Sequence, residues 1–515
     1  MLLPTEVFLQ PSIDWFAISP FTILLAAGVF SMLIETFAPR SARRPLQLAL
    51  VFGALLASFV LGVMLLGTET LTAGEAVAVD GPGVILQIII ALVALIGAAG
   101  LAENKVDPSG DAFAARASAI PGSADERAFT SAGWYSTEIW TLFLFAVGGM
   151  QLFVVANDLL TMFIALEVMS LPLYLMAGMA RRRRLLSQEA ALKYFVLGAY
   201  SSAFFLFGAA LVYGATAGIN FDDIAFAIPA RPQTATLLVT GIILIMVGML
   251  FKVGSAPFHQ WTPDVYQGAP TTLTAFMAAG VKVAAFGAMM RLLYSAFGSV
   301  IWDWRPILWS ITLITMFVGV FAALVQTDVK RMLAYSSVAH AGFVLVGILA
   351  GTNAGIVSVI FYLAAYAFTT LAVFLLVSLI RDASGEASGI DAWRGLATKS
   401  PLTALTMTFL LLALAGFPIT SGFIAKFSVF AAAVQAGQTP IVLLAVLASA
   451  IAVVFYLRIV VLMYFRTAES DEVAVAIPSN FTVIALVISV LITLILGLYP
   501  QPLLDLISQA PVFIR

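Results

Sequence analysis

Several ionisable side chains stand inside segments of this sequence that are otherwise apolar. They are Glu167, Lys252, Lys282, His340 and Lys426. A charge at the centre of a bilayer costs about 2.5–3.5 kcal/mol on insertion scales, so a membrane segment that keeps one usually has a functional reason. Neighbouring lysines can hold fewer protons than there are sites, and a charge change at one site then shifts the next. One carboxylate and several lysines in apolar segments therefore predict a path for protons.

Structural interpretations of the same residues stay open. An ion pair between Glu167 and Lys252 would join two helices without any proton transfer. His340 fits a hydrogen-bonded packing histidine as well as it fits a proton relay. Lys282 has no obvious spare carboxylate in the sequence, which favours a role in proton transfer.

The composition indicates which elements must position these groups. Of the 515 residues, 62% are hydrophobic and 10% are charged, and the mean hydropathy is +1.06. Soluble domains contain about 45–50% apolar and about 25% charged residues. The apolar runs are continuous and close to the roughly 20 residues of a membrane-crossing helix, whereas a barrel would need alternating strands. We expect an all-α polytopic membrane protein with about fourteen transmembrane helices, in the runs Ile18–Phe37, Leu46–Gly67, Val84–Ala102, Glu138–Ala156, Leu159–Ala180, Glu189–Ala215, Ala235–Tyr266, Pro270–Tyr294, Trp304–Gln326, Arg331–Gly351, Ala354–Ile380, Leu402–Val434, Ile441–Phe465 and Phe481–Leu498.

The loop charges orient the chain. With the N-terminus outside, the inner loops hold most of the basic residues, including Arg181–Arg184, as the positive-inside rule requires. We interpret that run as a topology signal, and Lys193 beside it as a side chain that snorkels to the interface. The polar stretch Glu103–Thr137 is predicted to be a flexible cytoplasmic loop. The start of the chain, Met1–Phe16, has no basic region typical of a signal peptide.

Several functions are excluded by composition. A net charge of -2 argues against nucleic-acid binding. The absence of cysteine excludes disulfides, thiolate ligands and iron–sulfur ligation by this chain, and two histidines make a bound haem or zinc unexpected. We therefore expect no cofactor on this chain. A high alanine content and the absence of a transit peptide favour a bacterial plasma membrane.

Two of the apolar runs are too long for one straight helix. Ala235–Tyr266 would measure about 48 Å, against a hydrocarbon core of about 30 Å. It contains Gly254-Ser255-Ala256-Pro257, and Leu402–Val434 contains Gly416-Phe417-Pro418. Paired interruptions of this kind predict a transporter built from repeats with broken helices.

The sequence around the first interruption carries a family signature. From Phe251 to Pro270 it reads FKVGSAPFHQWTPDVYQGAP, which resembles the antiporter-like membrane subunits of proton-pumping NADH:quinone oxidoreductase, complex I. Further matching stretches lie between Trp140 and Tyr464, in the same order. They are Leu166-Glu167 with Ser170-Leu171-Pro172, DVKRMLAYSS from Asp328 to Ser337, and Gly416-Phe417-Pro418 followed by Gly422 and Lys426.

One tripeptide distinguishes branches of that family. Asp264-Val265-Tyr266, followed by Gln267-Gly268, is unlike the L and M subunits, which usually read Pro-Asp-Ala-His there. Subunit M also usually has a glutamate where Lys426 stands. The chain is therefore similar to the remaining, third antiporter-like branch. The long loop Glu103–Thr137 exceeds what the family leads us to expect.

The resemblance implies a fold of two inverted five-helix repeats, each with a discontinuous helix. The divisions would be residues 1–137, with three helices and the long loop, 138–296 and 297–466 for the repeats, and 467–515 for the last helix. It also implies a proton path, formed by an acid–lysine pair of Glu167 and Lys252, the central Lys282, the terminal Lys426, and further positions at His340 and Lys193.

The implied function is proton translocation coupled to quinone reduction, as a subunit of a translocase without its own redox centre or substrate site. FMN, iron–sulfur clusters and quinone would belong to other subunits. The implied partners are the lipid bilayer, subunit M on one side, and small subunits such as K, J and A on the other. Alternatives are a subunit of a multi-subunit cation/proton antiporter or membrane-bound hydrogenase, and a membrane scaffold whose buried charges only lock helices together.

Overall fold

The chain folds into a bundle of long apolar helices. The computed structural model describes residues 12–107, 110–114, 116, 119–120, 122–132, 134–382, 385–467 and 473–515. In the first half the helices are α1 Ser19–Phe37, α2 Arg40–Met64, α3 Gly81–Leu101, α4 Ala124–Ser131, α5 Ile139–Val155, α6 Leu159–Ala177, α7 Arg184–Thr216, α8 Phe221–Ala230, α9 Ala235–Val253 and α10 Trp261–Gly268. In the second half they are α11 Thr271–Phe276, α12 Lys282–Arg291, α13 Ile301–Leu324, α14 Val329–Leu349, α15 Asn353–Val377, α16 Leu396–Lys399, α17 Pro401–Ala415, α18 Ser421–Gln435, α19 Thr439–Phe465, α20 Asn480–Leu498 and α21 Gln501–Ser508.

The prediction of an all-helical membrane protein is confirmed. Within the described residues, 12 helices are long and apolar enough to cross a membrane. The two other predicted runs are also helical: α5 is shorter, and α17 and α18 form one interrupted segment. The count of fourteen spans and the inverted repeats remain predictions.

Short strands occupy the loops. An antiparallel hairpin joins β1, Thr70–Thr72, to β2, Val77–Val79. At the other end of the bundle, β3, Ile380–Asp382, lies between β4, Gly385–Glu386, and β5, Ala474–Val475. This second sheet joins two loops that are far apart in sequence.

Both broken helices end in the same backbone motif. Gly254 follows α9 with φ 73°, and Gly416 follows α17 with φ 82°, a left-handed conformation that glycine adopts without strain. In each case the glycine and the next residue donate backbone hydrogen bonds to carbonyls of the last turn, from Ser255 to Leu250 (2.9 Å) and from Phe417 to Leu412 (3.0 Å). This is the Schellman pattern that stops a helix. The two interruptions predicted from Gly and Pro are thus confirmed.

Among the described helices long enough to cross a membrane, the most deeply buried spans are those that contain α12, α14 and α15. The span Thr271–Ala296, which includes α11 and α12, is buried along its length, as is most of α14 and α15. Lys282 and His340 lie on these central helices and are buried. Their charges therefore face protein and not lipid.

The loops predicted on the inner side meet at one end of the bundle, which we call the basic face. Here Arg182 and Arg381 both donate to Asp107, at 2.5 and 2.8 Å. Arg181 donates to Asp111 at 2.7 Å. The arginine run therefore also makes structural ion pairs, beyond the topology signal predicted from the sequence.

The stretch Glu103–Thr137 differs from the predicted flexible loop where it is described. Besides the two aspartates, Glu103 accepts hydrogen bonds from the Ser479 backbone (2.9 Å) and hydroxyl (2.9 Å) and from the Thr482 hydroxyl, at the start of α20. Burial raises the pKa of the Glu103 carboxyl, but these donors and the Lys105 backbone outweigh burial and lower it. The partners come from segments distant in sequence, so local composition could not reveal them.

The opposite face is closed by another set of contacts. Arg291 and Asp80 are both fully buried and form an ion pair of 2.7 Å. Arg291 also donates to the Val154 carbonyl, and Asp80 accepts the Ile514 backbone N–H at 3.0 Å. The residues at the end of α12 are thus tied to the last residues of the chain.

Candidate functional site

Lys252 lies in the last turn of α9, just before the first break. Its ammonium donates to the Ser170 hydroxyl (2.6 Å) and the Tyr174 hydroxyl (2.8 Å), both on α6. It also lies over the Tyr174 ring, at 5.1 Å from the centroid. Ser170 and Tyr174 fall on one face of α6 because helical neighbours recur every three or four residues. The buried lysine is therefore held by two hydroxyl groups.

Glu167 lies on the same side of α6, one turn before Ser170. It forms no ion pair with Lys252 in the structure, although its charge acts on the lysine. One of its oxygens, Oε1, is buried and has no hydrogen-bond partner in the chain. The structure therefore brings the predicted pair into one neighbourhood but gives the lysine hydroxyl partners instead of the carboxylate, so direct pairing would need a side-chain movement.

Lys282 begins α12 directly after the π-helical turn Met277–Val281. Its ammonium donates to the Ser337 carbonyl of α14 and lies 5.3 Å from the centre of the Tyr366 ring. Tyr366 donates to the Ser337 hydroxyl at 2.8 Å. No carboxylate pairs with Lys282 in the described part of the chain, in agreement with the sequence. π-Helical turns of this kind often occur at functional sites.

His340 is hydrogen-bonded on both ring nitrogens. Nδ1 lies 2.7 Å from the Tyr362 hydroxyl and Nε2 lies 3.2 Å from the Tyr456 hydroxyl. The Tyr366 ring stands 5.0 Å away between the histidine and the Lys282 region. An imidazole with two hydroxyl partners can accept a proton on one nitrogen and release one from the other. The geometry suits a relay, and it also satisfies a packing histidine.

Lys426 lies on α18, after the second break. It reaches back across the break to the Leu414 carbonyl (3.2 Å) and the Ala415 carbonyl (2.8 Å), which end α17. It also donates to the Ser449 hydroxyl at 2.9 Å. A cation at a helix C-terminus is stabilised by unpaired carbonyls and by the helix dipole. The predicted link between this lysine and the break is thus a direct contact.

Lys193 lies apart from this row, near the basic face. It pairs with Asp264 (2.8 Å) and with Glu189 (2.7 Å), and its side chain is 44% exposed. Arg331 also pairs with Asp264, at 2.7 Å. Lys193 therefore has defined carboxylate partners, where the sequence indicated a side chain that extends to the interface.

A row of aromatic side chains extends from the Lys252 site, and sequence reasoning missed it. Tyr194 packs against Tyr174 with ring centroids 4.4 Å apart and stacks on Trp261 at 4.6 Å. Tyr266 stands edge-on to Trp261 at 6.2 Å. In the second half, Tyr366 and His340 form a separate pair with ring centroids 5.0 Å apart. Tyrosines inside apolar helices were the available signal, because a buried phenol needs a hydrogen-bond partner.

The described residues include no group of three or more His, Asp or Glu side chains placed to hold a metal ion. The functional groups are amines, hydroxyls, an imidazole and a carboxylate. Each of these groups can donate or accept a proton in a hydrogen bond, which fits proton transfer among the buried lysines and His340.

The sequence is similar to those of known membrane proteins. The family model described as "NADH:quinone oxidoreductase/Mrp antiporter, TM" matches residues 156–452. A protein of Rhodococcus opacus named NADH-quinone oxidoreductase subunit N is 50% identical, over 98% of this chain and 97% of that protein. A Streptomyces griseus protein named NADH-quinone oxidoreductase subunit N 3 is 48% identical, over 99% of this chain and 96% of its own length.

Solved structures agree in fold. A chain of respiratory complex I from Thermus thermophilus superposes with a TM-score of 0.76 at 32% identity, covering 94% of this chain and 98% of that one. A chain of the Mrp complex from Dietzia is 22% identical with a TM-score of 0.77, covers 96% of each chain, and shares the fold.

Proposed function

We propose a function from the premise that this chain belongs to the family of NADH-quinone oxidoreductase N subunits, as its relatives establish. As one membrane subunit of that enzyme, it takes part in proton translocation coupled to quinone reduction. FMN, iron–sulfur clusters and quinone bind in other subunits. The task of this chain is to move protons and charge through the membrane arm.

One observation carries the proposal. Lys252, Lys282, His340 and Lys426 are all buried, and each is held by hydroxyl or carbonyl oxygens within the described structure. A purely structural set of buried charges would be expected to pair with opposite charges, because an unpaired ion is costly to desolvate. Lysines held by neutral groups can instead lose and regain a proton without breaking an ion pair.

The first step concerns Glu167 and Lys252. A charge change in a neighbouring subunit moves the Glu167 carboxylate toward or away from the ammonium, which the Ser170 and Tyr174 hydroxyls otherwise hold. An approaching carboxylate favours the charged lysine, and a retreating one favours its neutral form. Glu167 and Lys252 thus act as a switchable pair.

The next steps carry that change through the centre. A proton moves onto or off Lys282 when the charge on Lys252 changes, because nearby titrating groups are coupled. The proton continues through the His340 region, where two tyrosine hydroxyls flank the imidazole, to Lys426. The backbone breaks supply room and free carbonyls along this line.

The exposed side of α6 supports a neighbouring subunit. Ile164, Leu171 and Leu175 are 47–61% exposed on the side of the helix that also carries Glu167. A carboxylate in an apolar outward stripe is unfavourable against lipid. We assign this side to the small subunits such as K, J and A, and the side near Lys426 to subunit M.

The same proposal includes topology and location. The chain lies in a bacterial plasma membrane with its N-terminus outside, and the basic face is cytoplasmic. The repeats are residues 138–296 and 297–466, each containing one broken helix. The described contacts on the basic face join loops that this topology puts on one side.

The test is Lys282→Ala in the assembled complex. We expect proton pumping and quinone reductase turnover to fall together, while Lys399→Ala at the exposed end of the short helix α16 changes neither. Lys282→Arg should also lose pumping, since an arginine keeps its charge and does not release its proton. Normal assembly with unchanged pumping and turnover in Lys282→Ala would refute the central role. A lower amount of complex with unchanged protons per NADH would favour the scaffold alternative.

A further inference from the structure

A polar chamber opens on the basic face, apart from the lysine row. Its cavity volume is about 70 Å³, which is room for a few water molecules. It lies between residues 103–107 and 110–112, the arginine run, and strands β3 and β4. Its polar walls include Asp107, Arg181, Arg182, Thr272, Lys330 and Glu386.

The chamber is built to hold water. Thr272 Oγ1 and Arg181 Nη1 are buried on its wall and make no hydrogen bond with the described residues. Both residues are more than nine-tenths buried. Buried polar atoms without protein partners are usually satisfied by water when the space is polar and large enough.

The inner end of the chamber is a buried ion pair. The Lys330 ammonium donates to Glu386 Oε2 at 3.2 Å and to the Thr271 hydroxyl at 2.8 Å. The Thr271 hydroxyl donates to the same carboxylate oxygen at 2.5 Å. Lys330 is 3% exposed and the Glu386 side chain is 22% exposed, so the pair joins the chamber wall to the buried side of α14.

The ion pair points toward the central lysine. Lys330 and Ser337 both lie on α14, seven residues apart and on one helix face, which is about 10 Å along the axis. The Ser337 carbonyl holds Lys282. A gap of this length is short enough for a few water molecules or hydroxyls. Thr274 of the adjoining α11 is buried and carries a hydroxyl that donates to the Tyr266 and Pro270 carbonyls.

The outer wall is fastened by the long loop. Asp107 bridges Arg182 and Arg381, which belong to different repeats. Arg183 donates to the backbone carbonyl of Glu386 at 2.9 Å and so joins the same wall to the Lys330–Glu386 ion pair. The loop that exceeds the family pattern is thus in direct contact with the residues that enclose the chamber.

We propose that this chamber is the cytoplasmic entrance for protons that reach Lys282, with Lys330 and Glu386 as its inner gate and Asp107 as the latch of its outer wall. The inference rests on the proposed function. A hydronium ion from the cytoplasmic solvent donates its proton to the Glu386 carboxylate in the chamber as the Lys330 hydrogen bond opens, and water remains. The carboxylic acid then gives that proton to water on the α11 side and returns to the carboxylate, and the hydronium ion so formed passes the proton to neutral Lys282, which becomes the ammonium.

The resting state of the gate agrees with this sequence. Burial raises the pKa of the Glu386 carboxyl, but the Lys330 ammonium, the Thr271 hydroxyl and Arg381 outweigh burial and hold it below its usual value. Glu386 is therefore a carboxylate while the pair is closed. It becomes a better proton acceptor only when Lys330 moves away, so opening and uptake are linked.

The first experiment compares Glu386→Gln, Glu386→Asp and Lys282→Ala in the complete complex, in sealed vesicles. Glu386→Gln keeps the size and the Thr271 hydrogen bond but cannot carry the proton. We expect it to lower NADH-driven pumping about as much as Lys282→Ala, while Glu386→Asp restores much of the loss. Asp391→Asn, on the same face and paired with the nearby Arg394 in the described part of the chain, serves as the control.

The outcomes separate the two proposals. If Lys282→Ala loses pumping and Glu386→Gln does not, the gate is wrong and the proposed function stands. If neither variant changes pumping at normal complex abundance, the proposed function fails first. A further variant, Glu386→Ala, is compared with Glu386→Asp. If the two pump equally well, residue 386 has no proton-carrying role.

The second experiment measures access to the chamber. The chain has no cysteine, so Thr272→Cys supplies a single thiol on the chamber wall. A membrane-impermeant thiol reagent added on the cytoplasmic side should label it, and Asp107→Asn should speed the labelling about tenfold by removing charge-assisted hydrogen bonds from the latch. Labelling only from the other side would refute the entrance, and so would a Thr272→Cys thiol that stays unlabelled while Asp391→Cys reacts. An unchanged rate in Asp107→Asn would refute the latch.

Discussion

The two broken helices share a backbone motif but surround their lysines differently. Each break begins at a left-handed glycine closed by the same pair of backbone hydrogen bonds. Lys252 precedes its break and donates to two hydroxyls of a neighbouring helix. Lys426 follows its break and donates to two carbonyls that end the preceding helix.

The difference lies in the charge that stabilises each lysine: near Lys252 it can change, and near Lys426 it is permanent. The C-terminus of a helix carries about half a negative charge, which is permanent. That charge favours the Lys426 ammonium whatever the position of Glu167, although Lys426 still exchanges its proton as the terminal lysine of the proposed path. Near Lys252 the stabilising charge is the Glu167 carboxylate, which can move or titrate, and the contacting hydroxyls can donate or accept. We therefore expect Lys252 to respond first to a charge change in a neighbouring subunit, and Lys426 to respond last, beside a charge that does not change.

Arginine substitutions give the strongest test of this comparison. Arginine keeps the charge and does not release its proton, and its fork can donate to two carbonyls at once. We expect Lys252→Arg to lower NADH-driven pumping by at least about tenfold, because general acid–base groups contribute factors of this size or more. Lys426→Arg, which keeps the carbonyl contacts, should lose only about threefold.

Pumping by the assembled complex in vesicles would be normalised to complex abundance. Lys399→Arg, at the exposed end of helix α16, is the matched control. Equal losses at the two lysines would show that their different partners have no functional consequence, and a larger loss at Lys426 would reverse the comparison.

Much of this arrangement was predictable from the sequence, for a physical reason. A charge in an apolar run is visible in one dimension, so Lys252, Lys282 and Lys426 stood out before any fold was known. Gly-Phe-Pro and Gly-Ser-Ala-Pro break a helix through local geometry, and both breaks were confirmed. The similarity to the third antiporter-like branch was also confirmed, by relatives named subunit N.

The partners of those charges could not be predicted. Hydroxyls such as Tyr174 and carbonyls such as that of Ala415 lie in other helices, and no local pattern distinguishes them from packing residues. The Glu167–Lys252 pair shows the limit, since the family resemblance implied the pair and the structure places hydroxyls on the lysine instead. The ion pairs of the long loop were missed in the same way, because Asp107 finds arginines from two distant segments.

Removing one hydroxyl from each lysine gives a smaller effect. Tyr174→Phe leaves Lys252 with the Ser170 hydroxyl alone, whereas Ser449→Ala leaves Lys426 with both carbonyls. A hydrogen bond to a charged group contributes about 1.5–3 kcal/mol, of which buried carbonyls can replace a part. We expect pumping to fall about fivefold in Tyr174→Phe and less than about twofold in Ser449→Ala.

Initial rates of acidification in vesicles would measure both variants. Tyr464→Phe, at an exposed tyrosine of α19 that forms no hydrogen bond with a lysine among the described residues, controls for loss of a phenol. A larger loss in Ser449→Ala than in Tyr174→Phe would mean that the hydroxyl, and not the helix end, holds Lys426.

The smallest effect is expected at the glycines, where the two breaks are most alike. Alanine at either position must adopt a left-handed backbone, which costs about 1–2 kcal/mol. At Gly254 the added methyl group would meet the Thr262 hydroxyl at 2.9 Å, but at Gly416 it would meet Lys426 itself, at 3.0 Å from Cδ and 3.3 Å from Nζ. Both variants should lower the heat stability of the complex to a similar extent, as judged by the activity that survives warming.

Only Gly416→Ala should also lower pumping per assembled complex, because only there does the strained residue displace a lysine of the proton path. The loss should be below about twofold, since the Lys426 side chain is flexible and can shift by a few tenths of an ångström. Gly53→Ala, at a helix position with open space around it, is the control. If Gly254→Ala reduces pumping as much as Gly416→Ala at equal abundance, the break and not the lysine contact governs function, and the two halves are more alike than their side chains indicate.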